Sequence, residues 1–364
     1  MNDKSLVKLG NVAHECRQTW SDDQNNVPIV GLEHLIPGEI ELHSWDSNIE
    51  HTFSKKFVKG QVLLGRRRVY LKKAVIAPCD GICSGDITVI ESTGGILPEL
   101  LPFVIQNDRF FDYAMQGSAG SLSPRVKWEH LKNYEFLLPP LEEQKVLADK
   151  LWAAYRLKES YKKLLAATEE MVKSQFIEMF GDPLKNPKNY TQRKLGDVAT
   201  LLNGRAYKAS ELLSSGRYLV LRVGNFFTNT DYYYSDLELE PDKYCDTGDI
   251  LYSWSATLGA QIWKGGKVIY HYHIWKVLFD ENILNKEYFC FMLNVMTDSL
   301  KQETHGSTMV HLTKDGMEKK FIAIPPLELQ RRFVAIAEQA DKSGFELRKS
   351  IDAIDAVIKS LVNS

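Results

Sequence analysis

Little in this chain points to a membrane, an oxidising compartment or a polyanionic partner. Nowhere do about 18 uncharged apolar residues follow one another, and Met1 to Gly10 lack a basic start followed by an apolar run, so the protein is expected to stay in the cytoplasm, away from membranes. Five cysteines in 364 residues, Cys16, Cys79, Cys83, Cys245 and Cys290, are too few and too scattered for a disulfide scaffold, and reduced thiols are expected. A formal net charge of -2 means that any binding to nucleic acid must come from local patches. Signatures of catalysis are missing as well. No nucleophile elbow or carboxylate pair stands out. Gly60 to Gly65 has the spacing that opens a phosphate-binding loop, but Arg66-Arg67 replaces its Lys-Ser/Thr end. Cys79 and Cys83 lack a second pair, and His271-Tyr272-His273 lacks a third ligand, so no metal is expected. What remains is ordinary for a folded protein, 44% hydrophobic and 25% charged, with length for two or three domains.

The chain repeats itself. Lys8-Leu9-Gly10-Asn11-Val12-Ala13 recurs as Lys194-Leu195-Gly196-Asp197-Val198-Ala199, and Pro139-Pro140-Leu141-Glu142-Glu143-Gln144 as Pro325-Pro326-Leu327-Glu328-Leu329-Gln330, both offset by 186 positions. Between them Lys59–Leu64 answers Thr247–Tyr252, and Gly117-Ser118 answers Gly306-Ser307, at offsets of 188 and 189. Four matches in the same order imply two copies of one unit, a period far above solenoid repeats, and a pseudo-twofold object suited to a roughly two-fold partner.

Each copy changes texture along its length. Short β-like runs punctuated by Gly and Pro fill its first part, among them Gln61–Leu64 and Ile87–Ile90 in one copy, Tyr218–Val223 and Asp249–Tyr252 in the other. From Pro140 to Phe180 and from Pro326 to Leu361 there is no internal Pro, and apolar residues recur at helical spacing. Pro-Pro-Leu-Glu marks each start, and Gly181-Asp182-Pro183 stops the first helix. The fold expected is α+β: β-rich domains at 1–140 and 181–325, separated by long antiparallel coiled-coil helices at 141–180 and 326–364. Leu147, Ala154, Leu157, Tyr161, Leu164, Thr168 and Met171 form one seam; Ala340, Gly344, Leu347, Ile351, Ile354, Ile358 and Leu361 form the other. Gly344 costs about 1 kcal/mol relative to Ala and marks a close approach or a bend. The alternative is two amphipathic helices packed separately on their own domains. About 40 helical residues span roughly 60 Å, and half-sites on one face of B-DNA lie about 34 Å apart per turn. A helical ruler between duplicated domains therefore suits a split DNA sequence.

Recognition chemistry has three candidate places. The densest basic cluster, Arg66, Arg67, Arg68, Tyr70, Lys72 and Lys73, follows the strand Val62–Leu64. Continued as an extended segment it puts Arg66, Arg68, Tyr70 and Lys72 on one side. Arg bonds guanine edges bidentately while Lys holds phosphate; the plain alternative is a solvated edge strand. The matching place in the second copy holds Trp254, Ser255 and Thr257. Nearby Asn203, Arg205, Tyr207, Lys208, Arg222 and Asn225 supply side chains that pair with adenine and guanine edges, although Asn-Gly is also merely a turn. The third place is the paired loop carrying Ser118, Ser121 and Arg125 in one copy and Ser307, Thr308 and His311 in the other, where small residues let backbone amides approach phosphate, or serve only as a connection.

The order KLG(N/D)VA, β-rich domain, GS loop, PPLEEQ or PPLELQ and long helix, given twice, resembles type I restriction-modification specificity subunits over essentially the whole chain. Gly65–Tyr70 with Asp80–Ile87, and Ser253–Gly259, each look like a class of recognition domain in that family. The resemblance implies that each domain reads half of a bipartite target in double-stranded DNA. It also implies helices that set the spacer and dock two methyltransferase subunits, with a restriction and translocase subunit joining them. The chain would then bind no cofactor itself, with S-adenosylmethionine, ATP and Mg on the partner subunits. In keeping, both Pro-Pro pairs follow Leu138 or Ile324 rather than the Asn or Asp of an adenine methyltransferase loop. Two rivals stand beside this reading: a duplicated hydrolase or transferase, and a scaffold that binds proteins only.

Overall fold

Period-two alternation explains most of the architecture, because in both copies the central strands are apolar on both faces and bury each face in a different layer. The computed structural model describes residues 4–119, 123–228, 230–303 and 312–363. It divides into two units, Met1–Leu164 with Leu347–Ser364, and Leu165–Glu346.

In the first unit a four-stranded antiparallel sheet runs in the order Ala13–Cys16, Ile87–Ser92, Val62–Gly65, Ala74–Ile76. Val62, Leu64 and Ile90 face one cluster, where they meet Phe103, Phe110 and Phe111 of the helical segments Leu101–Ile105 and Asp108–Gln116. Leu63, Val75 and Val89 face the other, against Phe57 and Cys83. There Gly81–Cys83 pairs parallel with Ile29–Val30 and antiparallel with Lys55–Phe57.

The second unit repeats the plan. Its sheet runs Ala199–Asn203, Ile274–Phe279, Ile250–Ser253, Gly259–Ile262. Ile250, Tyr252, Trp275 and Val277 face the helix Lys286–Glu303 and its cluster, while Leu251 and Ile274 face the opposite one. Tyr218–Leu221 lies parallel to Val268–Tyr270, as in the first unit, and gains one more strand, Tyr233–Ser235.

The repeated sequence motifs mark where each unit closes on itself. Leu9 and Leu195 are fully buried, and their amides bond Tyr134 and Lys320 carbonyls at 2.8 Å. A Cβ on Gly10 would stand 2.9 Å from Lys132 Cβ, and one on Gly196 would stand 3.1 Å from Glu318 Cβ, so glycine permits this approach in both. Gln144, 1% exposed, accepts from the Leu97 amide and donates to the Gly95 and Pro139 carbonyls. Gln330, 0% exposed, does the same with the Asn285 amide and the Ile283 and Pro325 carbonyls. Each Gln clamps the start of a long helix onto its own unit. The repeated Pro-Pro-Leu-Glu motif is visible in the sequence, whereas two of the three partners of each Gln lie 45 to 49 residues away and are not.

The long helices span Leu141–Phe180 and Leu327–Asn363. In the first unit they pair antiparallel: Leu147 lies by Val362, and Lys158 Nζ meets Asp355 at 2.6 Å. In the second, Phe176 and Phe180 pack on Phe333 with ring centroids 5.3 and 5.8 Å apart. Gly181, at φ 70°, ends the first helix in the left-handed conformation that the Gly-Asp-Pro signal predicts.

On the second helix Ala340 and Gly344 are buried, and Leu347, Ile351, Ile354, Ile358 and Leu361 are half-buried. The seam on the first needs correction. Leu147, Ala154, Tyr161 and Thr168 are half-buried, but Leu157, Leu164 and Met171 are 46, 52 and 46% exposed. The buried row is Ala148, Leu151, Tyr155 and Lys158, then Val172, Phe176 and Phe180. Two of these carry polar tips satisfied inside. Tyr155 Oη accepts from the Glu41 amide and donates to Glu39, and Lys158 has Asp355. Counting apolar residues alone slid the seam toward the leucines.

Candidate nucleic-acid interface

Leu64 pairs with Ala74, which makes residues 65–73 the loop of a hairpin. The extended reading of the basic run is therefore wrong. Arg68 and Lys72 take left-handed backbone at φ 51° and 52°, Val69–Leu71 forms a 3-10 turn, and buried Val69 anchors it. Among the described residues the run makes one bridge, Arg67 to Arg125, with backbone bonds from Arg68 to Pro124 and from Val126 to Arg66, before the left-handed turn at Arg68 ends the extended stretch.

The loop divides its charges. Lys72 bonds Asp108 at 2.6 Å and Lys73 bonds the Leu32 carbonyl at 2.7 Å; both are turned onto the unit itself. Asp86 receives Arg125 through two bonds of 2.6 and 3.2 Å and has Arg67 Nη1 at 3.6 Å, and the Arg125 hydrogen bonds hold its carboxyl below the usual range. Arg67 also donates to Ser123. Arg68 and Tyr70 stand exposed. Ser118 pairs with Val126 in a short hairpin, its hydroxyl buried and without a partner among the described residues. Ser121 lies outside the described residues.

Arg66 is the exception. It lines a cleft of about 510 Å³ with Arg17, Gln18, Thr52, Lys55 and Lys127, and its Nε is buried with no partner among the described residues. Arg17 is neutralised by Glu15 and Glu129 at 2.7 and 3.2 Å, and Lys55 donates to the Ile87 carbonyl. Arg66, near Asp86, and exposed Lys127 carry the rest of the cleft's positive charge. Lys127 and the cleft's polar residues were missed from sequence because they come from separate turns with no dense run.

In the second unit the same hairpin, closed by Ser253 opposite Gly259, carries Trp254 to Leu258. Trp254 Nε1 donates to the Tyr272 carbonyl at 2.8 Å, and its ring meets Tyr272, His273 and Trp275. Thr257 is exposed, but Ser255 is 8% exposed and its carbonyl accepts from Ser253. Beside it a cleft of about 590 Å³ is lined by Arg222, Thr228, Thr230, Tyr233, His271 and His273. The Arg222 guanidinium sits 5.2 Å from the Tyr233 ring centre. Burial, then His273 and Arg222, push His271 down to about 4, so its imidazole is neutral at pH 7 and offers one donor and one acceptor.

The remaining candidates separate. Asn225 is 3% exposed, with its amide spent on the Arg222 amide and the Val220 carbonyl, so it is closed to a base edge. Arg205 is locked on Glu211 by bonds of 2.9 and 2.8 Å, holding Glu211 down to about 2, and lies over Tyr207 at 5.3 Å. Asn203 and Lys208 are exposed. Ser307, Thr308 and His311 lie outside the described residues.

Two units of one plan, each with a sheet hairpin beside a polar cleft and each holding parts of two paired long helices, define a class of duplicated recognition proteins. Residues 187–354 match the family model described as type I restriction modification DNA specificity domain. Over 99% of its length the chain is 24% identical to the type I restriction enzyme MjaIX specificity subunit of Methanocaldococcus jannaschii, across 92% of that protein. Over 30% of its length it is 29% identical to the EcoDI specificity subunit of Escherichia coli, across 26% of that protein. The fold is shared with a structure solved for complex assembly and conformational transition of the type I R-M system (TM-score 0.59, 20% identity, 99% of this chain and 96% of the other). It is shared too with a type I system S subunit from M. genitalium (TM-score 0.55, 11% identity, 100% and 96%). Similarity to type I restriction-modification specificity subunits thus runs along essentially the whole chain, and the specificity-domain match covers residues 187–354 of it.

Proposed function

We propose that each unit reads one half of a bipartite sequence in double-stranded DNA, the first with Arg66 on a base edge and Arg68 and Lys127 on phosphate, the second with Arg222, His271 and Trp254. The observation that supports this most is the shared hairpin: one backbone element, placed beside a cleft in both units, carries arginines in one and an aromatic, polar loop in the other. Units performing one common reaction would keep common chemistry there, whereas units reading different bases need not. The helices fix the spacer, and exposed Leu157 and Leu164, seven residues apart on one helix, belong to the face that docks a methyltransferase subunit. The chain itself is non-catalytic; S-adenosylmethionine, ATP and Mg belong to the methyltransferase and translocase subunits.

The test is co-expression with the methyltransferase subunit encoded beside it, followed by methylation mapping on a random-sequence plasmid library. A bipartite motif with an unspecified spacer, altered in only one half when residues 66–70 are exchanged for those of another recognition domain, is expected. A complex that methylates without sequence preference, or a change in both halves, would overturn the proposal.

A further inference from the structure

On the first unit's sheet, away from the hairpin loop, three strands bring four polar side chains together. His14 and Cys16 are two apart on one strand and so share a face. Glu91 lies directly across from His14 in the register of the neighbouring strand. Gln61 precedes Val62, which pairs with Ile90, so continuing that register sets Gln61 opposite Glu91. The atoms converge. Cys16 Sγ is 3.3 Å from Glu91 Oε2 and 3.7 Å from His14 Nε2, and those two are 3.9 Å apart. A tetrahedral zinc ion, with bonds of about 2.3 Å to sulfur and about 2.1 Å to nitrogen or oxygen, would set its ligands about 3.6 Å (S to N or O) and about 3.4 Å (N to O) apart.

We propose that His14, Cys16 and Glu91 form a zinc site, with water as the fourth ligand. One thiolate and one carboxylate balance the charge of the ion, and a thiolate favours zinc over calcium or magnesium. Gln61 completes the second layer. Its Oε1 accepts from the Val58 amide, which fixes the amide so that Nε2 donates toward Cys16 Sγ and Glu91 Oε2, at 3.3 and 3.2 Å. Without metal the Cys16 thiol keeps its proton and gives it to Glu91 in a hydrogen bond. Ligation breaks the S–H bond and releases that proton to solvent.

Two other groups of potential ligands lack this arrangement. Lys162 already occupies Glu39 and Glu159, at 2.6 and 2.9 Å. His34 Nδ1, beside Glu33 and Asp46, accepts the Gly31 amide. Only the proposed site holds a sulfur ligand among the described residues. It also anchors the strand that leads into Arg17 and Gln18 of the cleft.

The test is titration of the full chain, freed of metal by a chelator, with cobalt(II) as the probe. Thiolate-to-cobalt charge-transfer absorption saturating at one ion per chain, and displaced by zinc, is expected. Cys16→Ser should abolish the band. Glu91→Gln, and His14→Ala at a side chain 52% exposed whose loss the fold tolerates, should weaken binding by at least tenfold while circular dichroism stays unchanged. Absence of the band at one equivalent of cobalt, or its persistence in Cys16→Ser, would overturn the proposal.

Discussion

The two units spend the same architecture on opposite surface chemistry. Their sheets share strand order and layer assignment, and their helix-starting glutamines make the same three bonds. Yet one hairpin loop presents arginines, with Arg67 held beside Asp86 and Arg68 exposed, and the other presents an indole packed on imidazole and phenol rings. What is held constant is buried and hydrogen-bonded, and what differs is exposed at a loop. That is the pattern of a scaffold conserved for folding and a surface free to change its ligand.

The strongest way to break this comparison is to attack the buried helix rows. Tyr155→Ala in the first unit and Phe176→Ala in the second each remove an aromatic ring that is almost wholly buried, and each should cost about 3–5 kcal/mol. Leu157→Ala, at an exposed position two residues from Tyr155, should cost within about 0.5 kcal/mol. Urea denaturation of the three variants measures this. A Leu157 effect as large as that of Tyr155 would restore the seam read from sequence.

The glutamine clamps give the next largest effect. Gln144→Ala and Gln330→Ala each leave three backbone groups to find other partners, at a cost of roughly 2–4 kcal/mol. Amide hydrogen exchange should show lost protection confined to the unit that carries the change. Equal loss in both units from one substitution would mean that they do not behave as separate copies.

Smaller again is the effect on recognition. Arg66→Ala should cost about 1–3 kcal/mol for the assembled complex on its own target, a roughly 10- to 100-fold loss, and should relax only one half of the methylation motif. Arg222→Ala should relax only the other. Relaxation of the same half by both would refute the division of labour.

Much of the fold could be read before any coordinates, because it rests on repetition and periodicity. The KLG and PPLE motifs lie where each unit closes, and Gly181 ends the helix it was expected to end. The sites were less legible. A run such as Arg66–Lys73 announces charge but not conformation; the fate of each residue depended on Asp86, Asp108, Leu32 and Ser123, which lie elsewhere in the chain. Asn225 had the right chemistry for a base edge and was consumed by its own backbone turn. His271 was invisible as a site residue because its cleft is assembled from segments about 50 residues apart.

His271 supplies the finest distinction between the units. Its folded value of about 4 lies below the ordinary 6.5, so between these pH values the unfolded chain binds a proton that the folded second unit refuses. The contribution of His271 to stability is complete above pH 6.5 and is lost as pH falls toward 4. Since the ring is only half-buried, solvent screening leaves an effect of about 1 kcal/mol. The Asp86 cluster of the first unit behaves differently: its carboxyl is held below 3.8 by Arg125, so its contribution is lost only under more acidic conditions. Hydrogen exchange at pH 6.5 and 4.5 should therefore show the second unit weakening more than the first, and His271→Gln should remove that excess. An excess that survives the substitution would assign the acid sensitivity to another group.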